Sequence, residues 1–240
     1  MLLIKPTKLK FLVTGTGRCG TVYMARLLTS LGYMCGHEAV FDYSGEAAAI
    51  NRLKNRSFAT SACSIYSDNS WFSSAKLDSE SSYMAAPFLE NDILSETKII
   101  HIVRHPLKVI SSHINEVRFF EYPHPPQAKY QEFVLTHLPS ILEIENITER
   151  ACYYYIQWNK MIEEKSRKKA LFHRVENKLS PDLANYLGVT IPQKFHNDEK
   201  TNSWRTQRED MTIADIPAGA IKDEFVAVAE KYGYNLAVNV

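Results

Sequence analysis

The sequence predicts an α/β fold, in which one domain spanning residues 1–240 has a central parallel sheet flanked by helices. Two strand–turn–helix units indicate this class, because apolar runs at residues 8–14 and 97–103 each precede a helical pattern. A chain of 240 residues, 45% hydrophobic and 23% charged, is long enough to bury a sizeable core. Its composition excludes collagen-like and generally disordered proteins.

The first unit is a strand that ends in a glycine-rich turn. Residues 8–14 read KLKFLVT and are followed directly by Gly15, so the chain turns where the apolar run stops. Residues 21–32, TVYMARLLTSLG, have apolar positions near helical spacing and end in glycine. A second strand ending near His37 and a helix over residues 45–55 are expected next.

The second unit follows a stretch of weaker patterns. Its strand, TKIIHIV at residues 97–103, is typical of a buried parallel strand, and Pro106 opens the helix after it. The remaining expected elements are a short strand at 58–64 within a loop over 56–82, helices over 83–94, 147–169, 179–187 and 220–232, a strand over 170–175, and loops at 122–127 and 197–210.

Charge and cysteine content limit the partners and the compartment. The 28 basic and 27 acidic side chains give a net charge of +1, which argues against a nucleic-acid-binding surface. The four cysteines lie far apart and favour neither a zinc knuckle nor a disulfide framework. No apolar run approaches the roughly 18–20 residues of a membrane span. We therefore expect a cytoplasmic protein with no metal site, membrane span or nucleic-acid partner.

The turn after the first strand is a candidate anion site. Residues 15–21 read GTGRCGT; glycines allow close approach of a ligand, and the following helix N-terminus favours an anion. The turn satisfies GxGxxG, with Glu38 about 20 residues on, so a nicotinamide-dependent oxidoreductase of the Rossmann type stays open. It is not a Walker A loop, because no Lys-Ser or Lys-Thr pair follows the glycine. A turn without ligand and a non-catalytic nucleotide-binding module also stay open.

A second candidate anion site follows the strand at residues 97–103. Arg104 stands at the strand end, and Ser112 comes eight positions later in the expected helix. Arginine is permanently charged and binds oxygen atoms in a forked geometry. Taken alone, the spacing is equally compatible with an arginine that caps a strand and a serine on a helix face.

Together, the two segments resemble the PAPS-dependent sulfotransferases, whose donor is 3′-phosphoadenosine 5′-phosphosulfate. The (Lys/Arg)-Ser-Gly-Thr loop that holds the phosphosulfate in that family is similar to RCGT at residues 18–21, with Cys19 in place of serine. The family's strand ending in Arg-Asp-Pro or Arg-His-Pro, with a serine eight residues after the arginine, is similar to RHP at residues 104–106 and Ser112. The resemblance covers roughly residues 11–187.

The resemblance implies metal-independent transfer of a sulfuryl group from PAPS to a hydroxyl or amine of a small-molecule or glycan acceptor. It also implies a P-loop-like, phosphosulfate-binding turn after the first strand, and Arg18 as the group that stabilises the leaving phosphate. A weaker match, SWRTQRE, adds Arg205. The residues assigned to donor binding are Gly17, Arg18, Cys19, Gly20, Thr21, Val22, Arg104, Ser112 and Arg205.

The transfer also needs a base near the acceptor, and histidine or a carboxylate can serve. His37 and Glu38 are expected at the carboxyl end of the second strand, where parallel sheets present ligand-facing residues. Glu38 is the preferred base, as in sulfotransferases with an arginine in the donor loop, and His37 is the reserve. The alternative is a solvated glutamate beside a packed histidine. Residues 66–83 and 122–130 are expected to shape the acceptor cleft.

Overall fold

The chain was analysed as a computed structural model that describes residues 8–55, 77–117, 120, 128–166, 169–191 and 211–237. One parallel sheet is formed by β1 (Phe11–Thr14), β2 (Cys35–His37), β3 (Ser79–Ser81), β4 (Lys98–Val103) and β5 (Leu171–Arg174). The strands lie in the order β2-β3-β1-β4-β5. The predicted α/β class is therefore confirmed.

Helices follow most of the strands. They are α1 (Thr21–Ser30), α2 (Gly45–Asn55), α3 (Pro106–Ser112), α4 (Ala128–His137), α5 (Ile147–Lys165), α6 (Pro181–Leu187) and α7 (Ala220–Lys231). A π-helical turn, His113–Val117, continues α3. No helix of the described residues is long and apolar enough to cross a membrane.

The sheet buries side chains on both faces. Phe11 and Val13 of β1 belong to a core that includes Met24 of α1, whereas Leu12 belongs to a second core that includes Trp158 of α5. Successive side chains of a strand point to opposite faces, so the two cores lie on opposite sides of the sheet. The carboxyl ends of all five strands consequently meet at one edge, where α/β proteins bind ligands.

The prediction of loop was wrong for residues 79–81, because they form β3, an interior strand between β2 and β1. Its sequence, Ser-Glu-Ser, has no apolar run, yet all three residues are fully buried. Ser81 Oγ donates to the carbonyl oxygen of Thr21 at 2.8 Å, so a hydrogen bond compensates its burial. Hydrophobic periodicity cannot identify a strand of this kind.

One further segment differs from expectation. Residues 83–94 form two short 3-10 helices, Tyr83–Phe88 and Asp92–Leu94, rather than one helix, and Pro87 removes an N–H donor from the first. The loop expected at 122–127 lies outside the described residues, and helix α4 begins directly after it, at Ala128. The strand expected at 58–64 and the loop expected at 197–210 lie outside the described residues.

Candidate functional site

The glycine-rich turn lies against β4 because its first residue has no side chain. A Cβ atom at Gly15 would lie 2.3 Å from the carbonyl oxygen of Ile102 and 2.5 Å from Cys19 Sγ. Both distances are far below van der Waals contact, so any larger residue would push the turn away from the sheet. The close packing places the turn directly beside the carboxyl end of β4.

The two segments singled out from the sequence contact each other at this edge. Arg104 Nη1 donates to the carbonyl oxygen of Arg18 at 3.2 Å, and Arg18 Nε donates to Ser112 Oγ at 2.8 Å. Ser112 is fully buried. The Arg104 guanidinium therefore contacts the turn that precedes α1, and the charge of Arg18 acts on it, which is an arrangement suited to a multiply charged anion.

Both guanidinium groups are partly buried, and their charges repel. Burial lowers the pKa of Arg18, and burial followed by the charge of Arg18 lowers the pKa of Arg104, while Glu176 raises it. Arginine nevertheless stays protonated in proteins. Glu176 accepts the N–H of His105 at 2.7 Å, and this hydrogen bond holds the carboxylate within electrostatic range of Arg104. The outcome is a concentration of positive charge that an anion would relieve.

Two residues of the turn have internal contacts. Gly17 donates its N–H to the Tyr154 hydroxyl at 2.9 Å, and its carbonyl oxygen accepts from His113 Nε2 at 3.0 Å. Cys19 donates its N–H to the carbonyl oxygen of Thr16 at 3.3 Å. The Cys19 side chain lies in the core, and burial raises the pKa of its thiol to about 12. Gly17 and Cys19 thus stabilise the conformation of the turn. Their role in donor binding stays a prediction.

The first turn of α1 provides the other predicted donor-binding groups. Gly20 is the N-cap, and the backbone of Thr21 and Val22 begins the helix, where N–H groups have no acceptor within the helix. Thr21 Oγ1 and His37 Nε2 share a hydrogen bond of 3.0 Å. That bond connects the start of α1 to the end of β2.

Glu38 follows β2 directly and lies at the same edge of the sheet. Its side chain is 18% exposed, and Oε1 lies 3.9 Å from His37 Nε2. Burial and the nearby charge of Asp42 raise the pKa of Glu38 to about 7. Burial and the charge of Arg26 lower the pKa of His37 to about 4, so this histidine is neutral at neutral pH. Glu38 is the better proton acceptor of the two, because its pKa lies near neutrality.

Backbone conformation sets Arg18 and Glu38 apart from their surroundings. Among the described residues, the non-glycine residues with positive φ are Arg18 (68°), Glu38 (55°) and Lys178 (52°). Such conformations are unfavourable for residues with a Cβ and cluster at functional sites. Two of the three are the residues to which the sequence assigned the leaving-group and base roles.

Tyrosines border the carboxylate of Glu38. Tyr43 and Tyr130 pack edge to face with ring centroids 5.6 Å apart. Burial and the charge of Glu38 raise the pKa of Tyr130 to about 12, and the same two causes raise the pKa of Tyr83. The segments expected to shape an acceptor cleft therefore contribute two tyrosines, Tyr83 and Tyr130, that lie within electrostatic range of the candidate base.

Sequence reasoning missed Glu80, a fully buried carboxylate in β3. The raised pKa of about 8, caused mainly by burial, marks it as unusual, but no sequence signal does, because its strand was not recognised. Arg205 lies outside the described residues. In the described ranges, no group of three histidine, cysteine, aspartate or glutamate side chains could hold a metal ion.

Comparisons with known proteins give a likeness among solved structures. No protein-family model matches the chain, and no curated protein matches its sequence. Among solved structures, a sulfotransferase from Alicyclobacillus acidocaldarius is similar at 15% identity with a TM-score of 0.44, covering 96% of this chain and 98% of that one. At this level of similarity no functional residue can be transferred, so the assignment depends on the geometry of the site itself.

Proposed function

We propose that this chain is a sulfotransferase that moves a sulfuryl group from PAPS to an acceptor hydroxyl or amine. The observation that carries the proposal is the contact between the glycine-rich turn and the arginine-tipped strand: Arg104 donates to the Arg18 carbonyl, and Arg18 donates to Ser112. PAPS has two separate phosphate groups, and the paired guanidinium groups beside the α1 N-terminus suit such an anion.

Sulfuryl transfer breaks the S–O bond to the 5′-phosphate and forms a bond from sulfur to the acceptor atom. The electron pair of the broken bond stays on the phosphate, whose charge therefore grows in the transition state. Arg18 is proposed to stabilise that charge, and its role is electrostatic because arginine does not release its proton. The products are adenosine 3′,5′-bisphosphate and the sulfated acceptor.

The proton of the acceptor is proposed to move to Glu38. A base is most effective when its pKa lies near the working pH, and Glu38 has a pKa of about 7. His37 is neutral and hydrogen-bonded to Thr21, which suits a supporting role beside the base. Because Arg18 and Arg104 supply positive charge, transfer is proposed to proceed without a metal ion.

The strand order argues against the dinucleotide-binding alternative. In the Rossmann arrangement, the acidic residue that binds the ribose follows the strand adjacent to the glycine-rich strand. Here β3 lies between β1 and β2, so Glu38 stands one strand further away. The dinucleotide alternative also gives no role to the contact between Arg18 and Ser112.

Binding of adenosine 3′,5′-bisphosphate tests the proposal directly. Calorimetry with the full chain is expected to show binding of this nucleotide, and a fluorescence titration is expected to show no binding of NADH. Turnover of PAPS with a panel of hydroxyl and amine acceptors, in the presence of EDTA, is expected to produce the bisphosphate. Absence of bisphosphate binding would overturn the proposal, whereas binding without turnover on any acceptor would indicate a non-catalytic nucleotide-binding module.

A further inference from the structure

One buried carboxylate, Glu80, has no part in the chemistry proposed above. It is the middle residue of β3, paired in register with Gly36 of β2 and Leu12 of β1, and it is fully buried. A buried carboxyl group is costly unless it has hydrogen-bond partners. The partners of Glu80 therefore indicate what it does.

The main partner is the backbone of the turn that follows Glu38. Glu80 Oε1 accepts the N–H of Val40 at 3.0 Å, and neighbouring N–H groups of the turn also act on the carboxyl group. A Cβ atom at Gly36 would lie 2.3 Å from Glu80 Oε2, so the glycine of β2 makes space for this carboxyl group. The Glu80 side chain thus packs against the turn and accepts hydrogen bonds from its backbone N–H groups.

The strand β3 and its extension hold the turn at two other points. Glu38 donates its N–H to the carbonyl oxygen of Ser81 at 3.3 Å. Ser82 Oγ donates to the carbonyl oxygen of Phe41 at 2.7 Å. With the Glu80 contact between them, these bonds attach the turn from residue 38 to residue 41 to β3 and to the residue that follows it.

Helix α2 holds the same turn from its other side. Arg52 Nη1 donates to the carbonyl oxygen of Val40 at 2.8 Å, and the guanidinium pairs with Asp42 at 2.8 Å. Both backbone groups of Val40 are therefore hydrogen-bonded, the N–H to Glu80 and the carbonyl to Arg52. Val40 is fully buried, so neither group could exchange its partner for water.

We infer that Glu80 is a positioning residue: through Val40 it holds Glu38 in the left-handed conformation that presents the Glu38 carboxylate at the strand end. The inference rests on the proposed function, in which Glu38 is the base. A non-glycine residue keeps a left-handed conformation only where its surroundings impose it, and Glu38 has a φ of 55°.

The charges around Glu80 are consistent with a neutral hydrogen-bond acceptor. Burial raises the pKa of Glu80 to about 8, the N–H bonds of the turn lower it, and the charge of Glu38 raises it. On the adjoining elements, the other charged or titratable groups include Cys35 and His37 of β2, Asp42 after it, Arg52 of α2 and Tyr83 after β3. Burial and the charges of Glu80 and Asp78 raise the pKa of Cys35, and burial with the charge of Arg26 lowers the pKa of His37. Below about pH 8, the group is therefore protonated and still accepts the Val40 N–H. A glutamine side chain is also neutral and has an oxygen atom that can accept the Val40 N–H.

Three variants of the full chain distinguish a role of Glu80 in positioning Glu38 from a role in the stability of the fold alone. Glu80→Gln keeps the accepting oxygen, Glu80→Ala removes it, and Ser79→Ala removes a buried hydroxyl from the same strand as the control. The readouts are the titration of the Glu38 carboxyl carbon by NMR, the affinity for adenosine 3′,5′-bisphosphate, and the rate of PAPS turnover per folded molecule. The first readout requires no activity.

Glu80→Gln and Ser79→Ala are expected to retain the wild-type pKa of Glu38, near 7, and the wild-type turnover within about twofold. Glu80→Ala is expected to release the turn, move the pKa of Glu38 toward its ordinary value, and reduce turnover about tenfold while bisphosphate affinity is kept. Should Glu80→Ala not fold, Glu80→Met fills the space and still cannot accept the Val40 N–H.

An unchanged Glu38 pKa and unchanged turnover in the non-accepting variants would overturn the inference. Equal losses in Glu80→Gln and Glu80→Ala would overturn it as well, because the accepting oxygen would then be irrelevant. Failure of the proposed function has a different signature: the wild-type chain would neither bind the bisphosphate nor consume PAPS. In that case the carboxyl titration still decides whether Glu80 positions Glu38.

Discussion

The carboxyl edge of the sheet has two halves of different chemistry: a cationic half with two guanidinium groups, and a half with two carboxyl groups, called the anionic half after the candidate base Glu38. Arg18 follows β1 and Arg104 follows β4, and the Arg104 guanidinium donates to the backbone carbonyl oxygen of Arg18. After β2, and within β3 beside it, lie the carboxyl groups of Glu38 and Glu80, both with raised pKa values. The division suits a reaction in which one half holds an anionic donor and the other removes a proton from the acceptor.

The two halves are stabilised in different ways. In the cationic half, the decisive contacts join residues of short sequence motifs, such as Arg18 and Ser112. In the anionic half, the base is held indirectly, through backbone bonds of a turn to a buried strand. Variants in the cationic half should therefore change donor affinity and transition-state charge, whereas variants in the anionic half should change proton transfer and its pH dependence.

The largest effect is expected from Glu38→Gln. Loss of a general base reduces turnover by about 10³-fold, while affinity for adenosine 3′,5′-bisphosphate stays unchanged. The wild-type rate should fall as pH decreases below about 7, because the carboxyl is then protonated and cannot accept a proton. That limb of the pH–rate profile should be absent in the variant. If the limb persists, another group is the base, and His37→Gln is the next variant to measure.

The next largest effect is expected from Arg18→Ala in the cationic half. Turnover should fall about 10²-fold, because the guanidinium acts on charge that grows in the transition state. The affinity for the desulfated nucleotide should fall by a much smaller factor, and Arg18→Lys should recover part of the rate. Steady-state kinetics and calorimetry on the same preparations give the two numbers. Equal losses of turnover and of nucleotide affinity would mean that Arg18 only binds the nucleotide and does not act on the transition state.

Arg104→Ala is expected to reduce nucleotide affinity more than turnover, which is the opposite of the expectation for Arg18→Ala. Its guanidinium contacts the turn itself, so its removal should weaken nucleotide affinity by about tenfold, the cost of one charge-assisted hydrogen bond. Turnover at saturating PAPS should change less than in Arg18→Ala. Raising the salt concentration should weaken wild-type binding more than binding by the variant, since salt screens the attraction between the nucleotide and the remaining charge, which is larger in the wild type.

A stability difference is expected in the anionic half. Glu80 has a folded-state pKa of about 8, above its ordinary value, so the folded chain binds this proton more tightly than the unfolded chain. The stability that results is complete at low pH and is lost as pH rises through about 8. Glu80→Gln cannot lose a proton and should melt about 5 °C higher than wild type at about pH 9, with no difference at about pH 4.

The sequence was sufficient for most elements of the fold and for the cationic half of the site. The apolar runs that form β1 and β4 are continuous, and helix α2 was predicted with the bounds that it has, Gly45–Asn55. Arg18, Arg104 and Ser112 belong to short motifs, and the resemblance of these motifs to the sulfotransferase pattern led to the prediction that they act on one nucleotide. Spacing alone did not predict their contact, because Arg18 and Ser112 are 94 positions apart in the chain.

The anionic half could be predicted only in part. Glu38 was placed at the end of β2, but its strained conformation and the contact of its turn with β3 depend on residues about 40 positions apart in the chain. The strand β3 is polar throughout and is buried by its neighbours, so no periodicity indicates it. Glu80 consequently could not be predicted, although it is the residue that the turn contacts.

The smallest effect is expected from Cys19→Ser, which restores the serine of the sulfotransferase donor-loop pattern. The Cys19 side chain packs in the core beside Gly15, so a hydroxyl there should leave nucleotide affinity within about twofold of wild type. The more polar hydroxyl would be buried in an apolar core with Thr16 as a hydrogen-bond partner, and the variant should therefore be less stable by about 1 kcal/mol. Urea unfolding and calorimetry measure the two quantities. A clear gain in affinity would mean that position 19 faces the donor, and that the cationic half is shaped by its side chains more than by the backbone of the turn.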